Sequence, residues 1–393
     1  MPSRLLAFLC LWLAAAPAYS ATVLVLQLHN GSAHSDLDWV GESVAETLMS
    51  EFGDANVIVM DRAAREEALQ RLSLRAGADY TKATLIRLGQ TLNVDYVCFG
   101  DFSIDLPPNT SQIKDGSIRI SARFIDLRKM HDGPELSETG KLTELSRLEE
   151  HLAYESLLYL EPHATLKLDN FMSPQKTVRL DAEESYVRGL LSTNKEQKQK
   201  WFLQAATLDN RFAGPVFELG KLALEQKQYA KAQDWLRRVP PANANYTEAR
   251  FKMGLAAYGG GEYAKAADSF REVAKTFPLS EVYNDLGAAE NELGQPAAVA
   301  DFRRALDSDP RNPVYLFNLG IALLKAGLYE QAVAPLQQVA DKEPDDAEAR
   351  SAVEHARRRE PFPAGSKMPA ERLKTSFNDT AFRQLKAMLQ PAK

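Results

Sequence analysis

Residues 254–278 read Gly254-Leu255-Ala256-Ala257-Tyr258-Gly259-Gly260-Gly261-Glu262-Tyr263-Ala264-Lys265-Ala266-Ala267-Asp268-Ser269-Phe270-Arg271-Glu272-Val273-Ala274-Lys275-Thr276-Phe277-Pro278. A small residue inside one helical stretch is followed by a glycine turn and a second helical stretch. There Ala266 and Phe270, four apart, share a face. Pro278, which has no amide hydrogen to give, stops the second stretch. The same order recurs along the C-terminal half. Gly220, Gly254, Gly287 and Gly320 are separated by 34, 33 and 33 residues, with Gly189 before them. Ala232, Ala266, Ala298 and Ala332 are each followed four positions later by Leu236, Phe270, Phe302 and Leu336. Pro278, Pro310 and Pro344 close the second stretches, and Tyr229, Tyr263 and Tyr329 precede their alanines by three. A helix pair that cannot bury its own apolar face must stack on a copy of itself, so a fixed period predicts an all-α superhelix.

These residues resemble five tetratricopeptide repeats over residues 182–346, a family whose period is about 34. The first repeat is degenerate, with Phe202, Ala205 and Asn210 at the large, small and proline positions. The fourth is one residue short at its turn, Gly294-Gln295-Pro296. The resemblance implies that the first helix of each pair lines a concave, partner-binding face. Residues three before each repeat glycine then point into the groove: Phe217, Phe251, Asn284 and Phe317, joined by Leu255, Tyr258, Ile321 and Leu324. That surface is more apolar than a clamp for carboxylates. It suits a helix or extended peptide with large apolar side chains, or this chain's own C-terminal segment.

Upstream, Val23-Leu24-Val25-Leu26 is a β-branched apolar run suited to a strand buried on both faces. Asp36 is placed to cap a helix carrying Leu37, Val40, Val44 and Leu48. Further strands are expected near 56–60, 94–102, 118–127 and 136–142, with helices near 63–72, 81–92 and 146–160. The order predicts a mixed α/β sheet covered by helices. Within it, Leu92-Asn93-Val94-Asp95-Tyr96-Val97-Cys98-Phe99-Gly100 and Ile118-Arg119-Ile120-Ser121-Ala122-Arg123-Phe124-Ile125-Asp126 resemble the core of the TolB amino-terminal-like domain. That resemblance spans about residues 22–160 and implies an envelope-associated binding or assembly module. The loop Gly31 to His34 departs from the family's pattern.

The first twenty residues have the layout of a secretory signal: Arg4, the apolar stretch Leu5 to Ala16, and Ala18-Tyr19-Ser20 with small residues at the positions a signal peptidase reads. Cleavage after Ser20 gives a mature chain from Ala21, exported, with the bacterial periplasm as the expected location. The apolar stretch is shorter than the ~20 residues a span needs, and no later segment is a candidate span. Of two cysteines, Cys10 lies in the signal, so Cys98 alone remains and no internal disulfide forms. The expected organisation is a signal at 1–20, an α/β domain at 21–160, a linker at 161–181, repeats at 182–346 and a basic helical end at 347–393. The two folded regions are expected to fold independently.

A net charge of −6 with 25% charged residues argues against a dedicated nucleic-acid binder. Residues 350–393 are the basic exception, ten Lys and Arg against four acids. An anionic surface contact is their functional reading, and a solvated capping helix is the plainer one. Leu373, Phe377, Phe382, Leu385 and Leu389 give this segment apolar faces that should dock, on the repeats among other places. Gly214 to Lys221 fails as a phosphate loop on spacing and on Leu222, which stands where a hydroxyl is needed. His29, His34, Asp36 and Asp38 form at most a loose cluster without metal-ligand spacing. With no catalytic, cofactor or metal constellation, the sequence reads as a non-enzymatic scaffold for a protein or peptide. The alternative is a small-ligand sensor or enzyme with the α/β domain as its site.

Overall fold

A computed structural model describes residues 21–32, 34–55, 57–105, 116–162, 166–172, 177–361 and 369–389; residues 1–20, expected from the sequence to be a signal, lie outside them. The N-terminal elements are β1 (Thr22–Val25), β2 (His29–Asn30), α1 (Asp38–Asp54), β3 (Ile58–Val59), α2 (Arg62–Arg71), α3 (Lys82–Thr91), β4 (Tyr96–Asp105), β5 (Ser117–Asp126), β6 (His131–Lys141) and α4 (Leu145–Leu160). They form one mixed sheet, β3-β1-β4-β5-β6, in which β2 continues along β4. Pairings β1–β3, β1–β4 and β2–β4 are parallel. Pairings β4–β5 and β5–β6 are antiparallel.

The β1 run is buried on both faces, as its composition requires. Val23 and Val25 join the layer of α1 and α4, with Val44, Leu48, Cys98, Phe102, Ile120, Phe124 and Leu152. Leu24 and Leu26 point the other way, into a layer with Leu69, Leu85, Leu88, Val97 and Ile125 under α2 and α3. Full burial of each such side chain contributes roughly 1.5–3 kcal/mol. Burial also pushes the Cys98 thiol well above its ordinary range, which makes it inert. One local expectation is corrected. Asp36 does not cap α1 but lies in a 3-10 turn, Ser35–Leu37, and the first residue of α1 is Asp38. The turn is held by Asn30, whose side-chain amide donates to the His34 carbonyl (2.9 Å) and to Asp38 Oδ1 (2.7 Å).

After a short helix, α5 (Leu168–Phe171), come five helix pairs: α6 (Leu180–Leu191) with α7 (Lys195–Leu208), α8 (Ala213–Glu225) with α9 (Tyr229–Leu236), α10 (Tyr246–Gly259) with α11 (Tyr263–Thr276), α12 (Ser280–Glu292) with α13 (Ala297–Ser308), and α14 (Pro313–Lys325) with α15 (Tyr329–Lys342). α16 (Ala347–Arg358) covers the last pair. The glycine and large-residue ladders meet inside each pair. A Cβ on Gly189, Gly220, Gly254, Gly287 or Gly320 would stand 2.4, 2.5, 2.5, 3.0 or 2.3 Å from the side chain of Phe202, Leu236, Phe270, Phe302 or Leu336. Each large residue thus fills the notch of its own repeat. Pro278, Pro310 and Pro344 each lie two residues beyond α11, α13 and α15.

The first pair is not separate from the sheet domain. α6 packs on α1, and Val187 joins the α1–α4 core layer. Ser43 donates to Glu183 (2.8 Å) and Arg188 donates to the Asp36 carbonyl (2.9 Å). The last helix, α17 (Asp379–Leu389), follows a stretch from 369 to 378 that is neither helix nor strand and bends at Thr375 and Ser376.

Candidate functional site

α10, α12 and α14, the first helices of three successive pairs, together form a surface along which the stretch 369–378 runs. Groove side chains hold its main chain. Asn318 Oδ1 accepts from the Arg372 amide and Asn318 Nδ2 donates to the Arg372 carbonyl, both at 2.8 Å. Asn284 Nδ2 donates to the same carbonyl at 2.9 Å, and Asn318 Nδ2 also donates to Asn284 Oδ1 at 2.9 Å. Asp285 Oδ1 accepts from the Lys374 amide at 2.9 Å, and Glu281 accepts from the Asn378 amide at 3.2 Å. Asn284, Asp285 and Asn318 are fully buried. Burial raises the Asp285 carboxyl well above its ordinary value, against the opposing pull of the Lys374 amide and Asn284.

Side chains of the segment fill the flanking positions. Glu371, almost fully buried, accepts from Tyr258 (3.0 Å) and Asn291 (2.6 Å) and pairs with Lys325 at 2.8 Å. Burial alone would raise its carboxyl, but the hydrogen bond and charge of Lys325 outweigh burial and hold it below its ordinary value. The Arg372 guanidinium stacks 3.6 Å over the Phe317 ring and pairs with Asp346 at 2.6 Å. Leu373 packs between the clusters of the third and fifth repeats. Phe377 meets Phe251 with ring centroids 4.6 Å apart, and Phe382, on α17, meets Phe277 at 4.9 Å. Asn378 caps α17, its Oδ1 accepting from the Ala381 amide at 3.0 Å. At the far end Lys386 pairs with Asp54, the last residue of α1, at 2.9 Å.

The eight groove residues named from the sequence divide. Phe251, Tyr258, Asn284 and Phe317 touch the segment directly. Leu255 belongs to the apolar cluster on which Leu373, Phe377 and Phe382 pack; Ile321 and Leu324 lie in the neighbouring cluster with Leu373. Phe217 lies apart, in the core of the second repeat under Lys221. Asn318, Asp285, Asn291 and Lys325 were missed. The available signal was two asparagines, 284 and 318, one repeat period apart on first helices. Much of the basic charge of the C-terminal end is also used within the chain, Arg372 on Glu343 and Asp346, Arg359 on Glu330, and Lys386 on Asp54.

Other candidate features resolve into structure. Gly214 and Lys221 lie within α8, so they form no phosphate loop. His29 hydrogen-bonds the Gly77 carbonyl at 3.0 Å, and Asp38 is taken up by Asn30. The described residues do bring Glu138, His151 and Glu155 together, with Glu138 and His151 2.7 Å apart across β6 and α4. A surface hollow of about 290 Å³ on the α/β domain is lined by Gln90, Asn93, Val94, Asp95, Leu127 and Arg128. Among the described residues, no helix is long and apolar enough to cross a membrane.

Stacked helix pairs with glycine notches, joined to a mixed α/β domain, define a protein built on a tetratricopeptide-repeat array. Tetratricopeptide-repeat family models match residues 248–280 and 296–356. Among solved structures the chain is similar to YrrB, a TPR protein with an unusual peptide-binding site, at 18% identity over 45% of this chain and 92% of that one, TM-score 0.40. It is similar to MamA at 18% identity over 39% and 91%, TM-score 0.36. A further match is lipoprotein GNA1162 from Neisseria meningitidis, at 18% identity over 31% and 80%, TM-score 0.25. No curated protein matches the chain.

Proposed function

We propose that the protein is a non-enzymatic scaffold, exported to the bacterial envelope, whose repeat groove holds an extended polypeptide segment for envelope assembly, secretion or signalling. The observation that carries the binding role is the pairing of Asn318 and Asn284 with the main chain of Arg372. Side-chain amides that satisfy both the N–H and the C=O of one residue recognise any extended chain, while Phe251, Phe317 and the Tyr258–Asn291–Lys325 cluster select among sequences. Export rests on the arrangement of Arg4, the Leu5 to Ala16 stretch and Ala18-Tyr19-Ser20, and the envelope role on the TolB-like sequence pattern.

The binding role is tested by placing a photo-reactive phenylalanine at Tyr258 and irradiating the native envelope fraction. The expected product joins this chain to a different polypeptide and disappears with Asn318→Ala. Crosslinks to the protein's own C-terminal segment alone would overturn the scaffold reading. Intact mass of the mature protein, expected to begin at Ala21, tests export; a cytoplasmic pool retaining Met1 would overturn it.

A further inference from the structure

Resting on that reading, we infer that residues 369–389 are a tethered mimic of the partner: they close the repeat groove and latch it to the α/β domain until a partner segment of the same chemistry displaces them. That chemistry is an acid followed by arginine and an apolar residue, then an aromatic that opens an amphipathic helix, as in Glu371-Arg372-Leu373 and Phe377 to Leu389.

Three observations converge. First, the amides of Arg372, Lys374 and Asn378 are paired with side chains of α12 and α14, the manner in which a groove holds a peptide ligand. Second, the groove carries polar groups that the segment covers and pairs: Asn284, Asp285, Asn291 and Asn318, on α12 and α14, all hydrogen-bond to it. A partner segment that remakes these bonds can take the place of the tethered one, so exchange is favoured over simple release. Third, the segment ends outside the array. Lys386 donates to the Gly53 carbonyl (3.4 Å) and pairs with Asp54 (2.9 Å), at the C-terminus of α1 where a cation is favoured by the helix dipole. Displacement thus undoes a contact between the groove and the sheet domain. The segment is tethered to the groove by the chain itself, so a free peptide competes poorly unless the tethered copy is weakened.

The test uses a fluorescent synthetic peptide of residues 369–389 and the full chain. Anisotropy titration should show at least about tenfold tighter binding to the Arg372→Ala/Phe377→Ser double variant than to the wild-type protein, with binding lost again when Asn284→Ala and Asn318→Ala are added. Equal affinity for both proteins, or no binding to a double variant that still melts cooperatively, would overturn the mimic. Native hydrogen exchange on the unmodified protein decides the matter if the variant does not fold. The Arg372 and Lys374 amides should exchange by local opening, faster than those of α14. Exchange only with global unfolding would make the segment a fixed part of the fold. Failure here leaves crosslinks from position 258 to another polypeptide untouched, and absence of those crosslinks leaves peptide binding untouched, so the two readings fail separately.

Discussion

Asn318 presents one acceptor and one donor in a plane, the same pair that a peptide unit presents in reverse. Replacing it by alanine removes both bonds to Arg372 and leaves the Arg372 amide to water or to nothing. The expected loss is about 1–3 kcal/mol in the local opening free energy of residues 371–374. Hydrogen exchange measures it, and the amides of α2 serve as an unaffected internal reference. The reason this residue escaped the sequence reading is geometric. Counting three back from Gly320 selects Phe317, whereas Asn318 stands two before that glycine and falls outside the count. Gly320 itself was legible because its role is steric. Gly320→Ala puts a methyl 2.3 Å from Leu336 and should cost about 1–3 kcal/mol or more. Gly261, with φ of +76° and nothing within 4 Å of a added Cβ, should tolerate alanine better, at about 1–2 kcal/mol for the left-handed backbone alone. Urea midpoints of the two variants give the order.

At the scale of elements the seam between α1 and α6 has a pH sign. Burial and the charge of Glu42 push Glu46 up to about 7. Burial, then Glu183, raises Glu149 well above its ordinary value, and burial raises Glu183. Carboxyls whose folded values are raised contribute stability that is fully present below their ordinary value near 4.5 and is lost as pH rises through the folded one. The seam should therefore weaken between pH 5 and pH 8. Glu149→Gln keeps the shape and removes one titration. Its melting temperature should exceed that of the wild-type protein at pH 8 and match it near pH 5, by about 2–4 °C per kcal/mol for domains of 150–250 residues. Calorimetry at the two pH values checks this, and a wild-type protein at least as stable at pH 8 as the variant would contradict it. Helices and strands were largely legible, since β1 and the repeat ladders carry their burial in their own periodicity. The seam was not, because Ser43, Glu149 and Glu183 lie on three helices that only the tertiary fold brings together.

For the whole molecule, the repeat array and the sheet domain could be read apart because self-similarity marks one and a mixed strand order marks the other. How they join was hidden: Val187, counted with the repeats, is buried among α1 and α4. Val187→Ala should destabilise by about 1–3 kcal/mol and move the melting of both regions. Trp39 in α1 reports on one region and Trp201 and Trp235 on the other, so fluorescence separates them. A shift confined to the repeat tryptophans would mean that the regions melt as strangers.

The inert thiol of Cys98 bears on how such motions are watched. It is the one free cysteine among the described residues, it is fully buried, and its ionisation is suppressed. Two cysteines introduced on the surface, one near Met388 and one on α13, accept a donor and an acceptor dye with no native site competing. The distance between the dyes then becomes a ruler for the C-terminal segment, read on single molecules in real time.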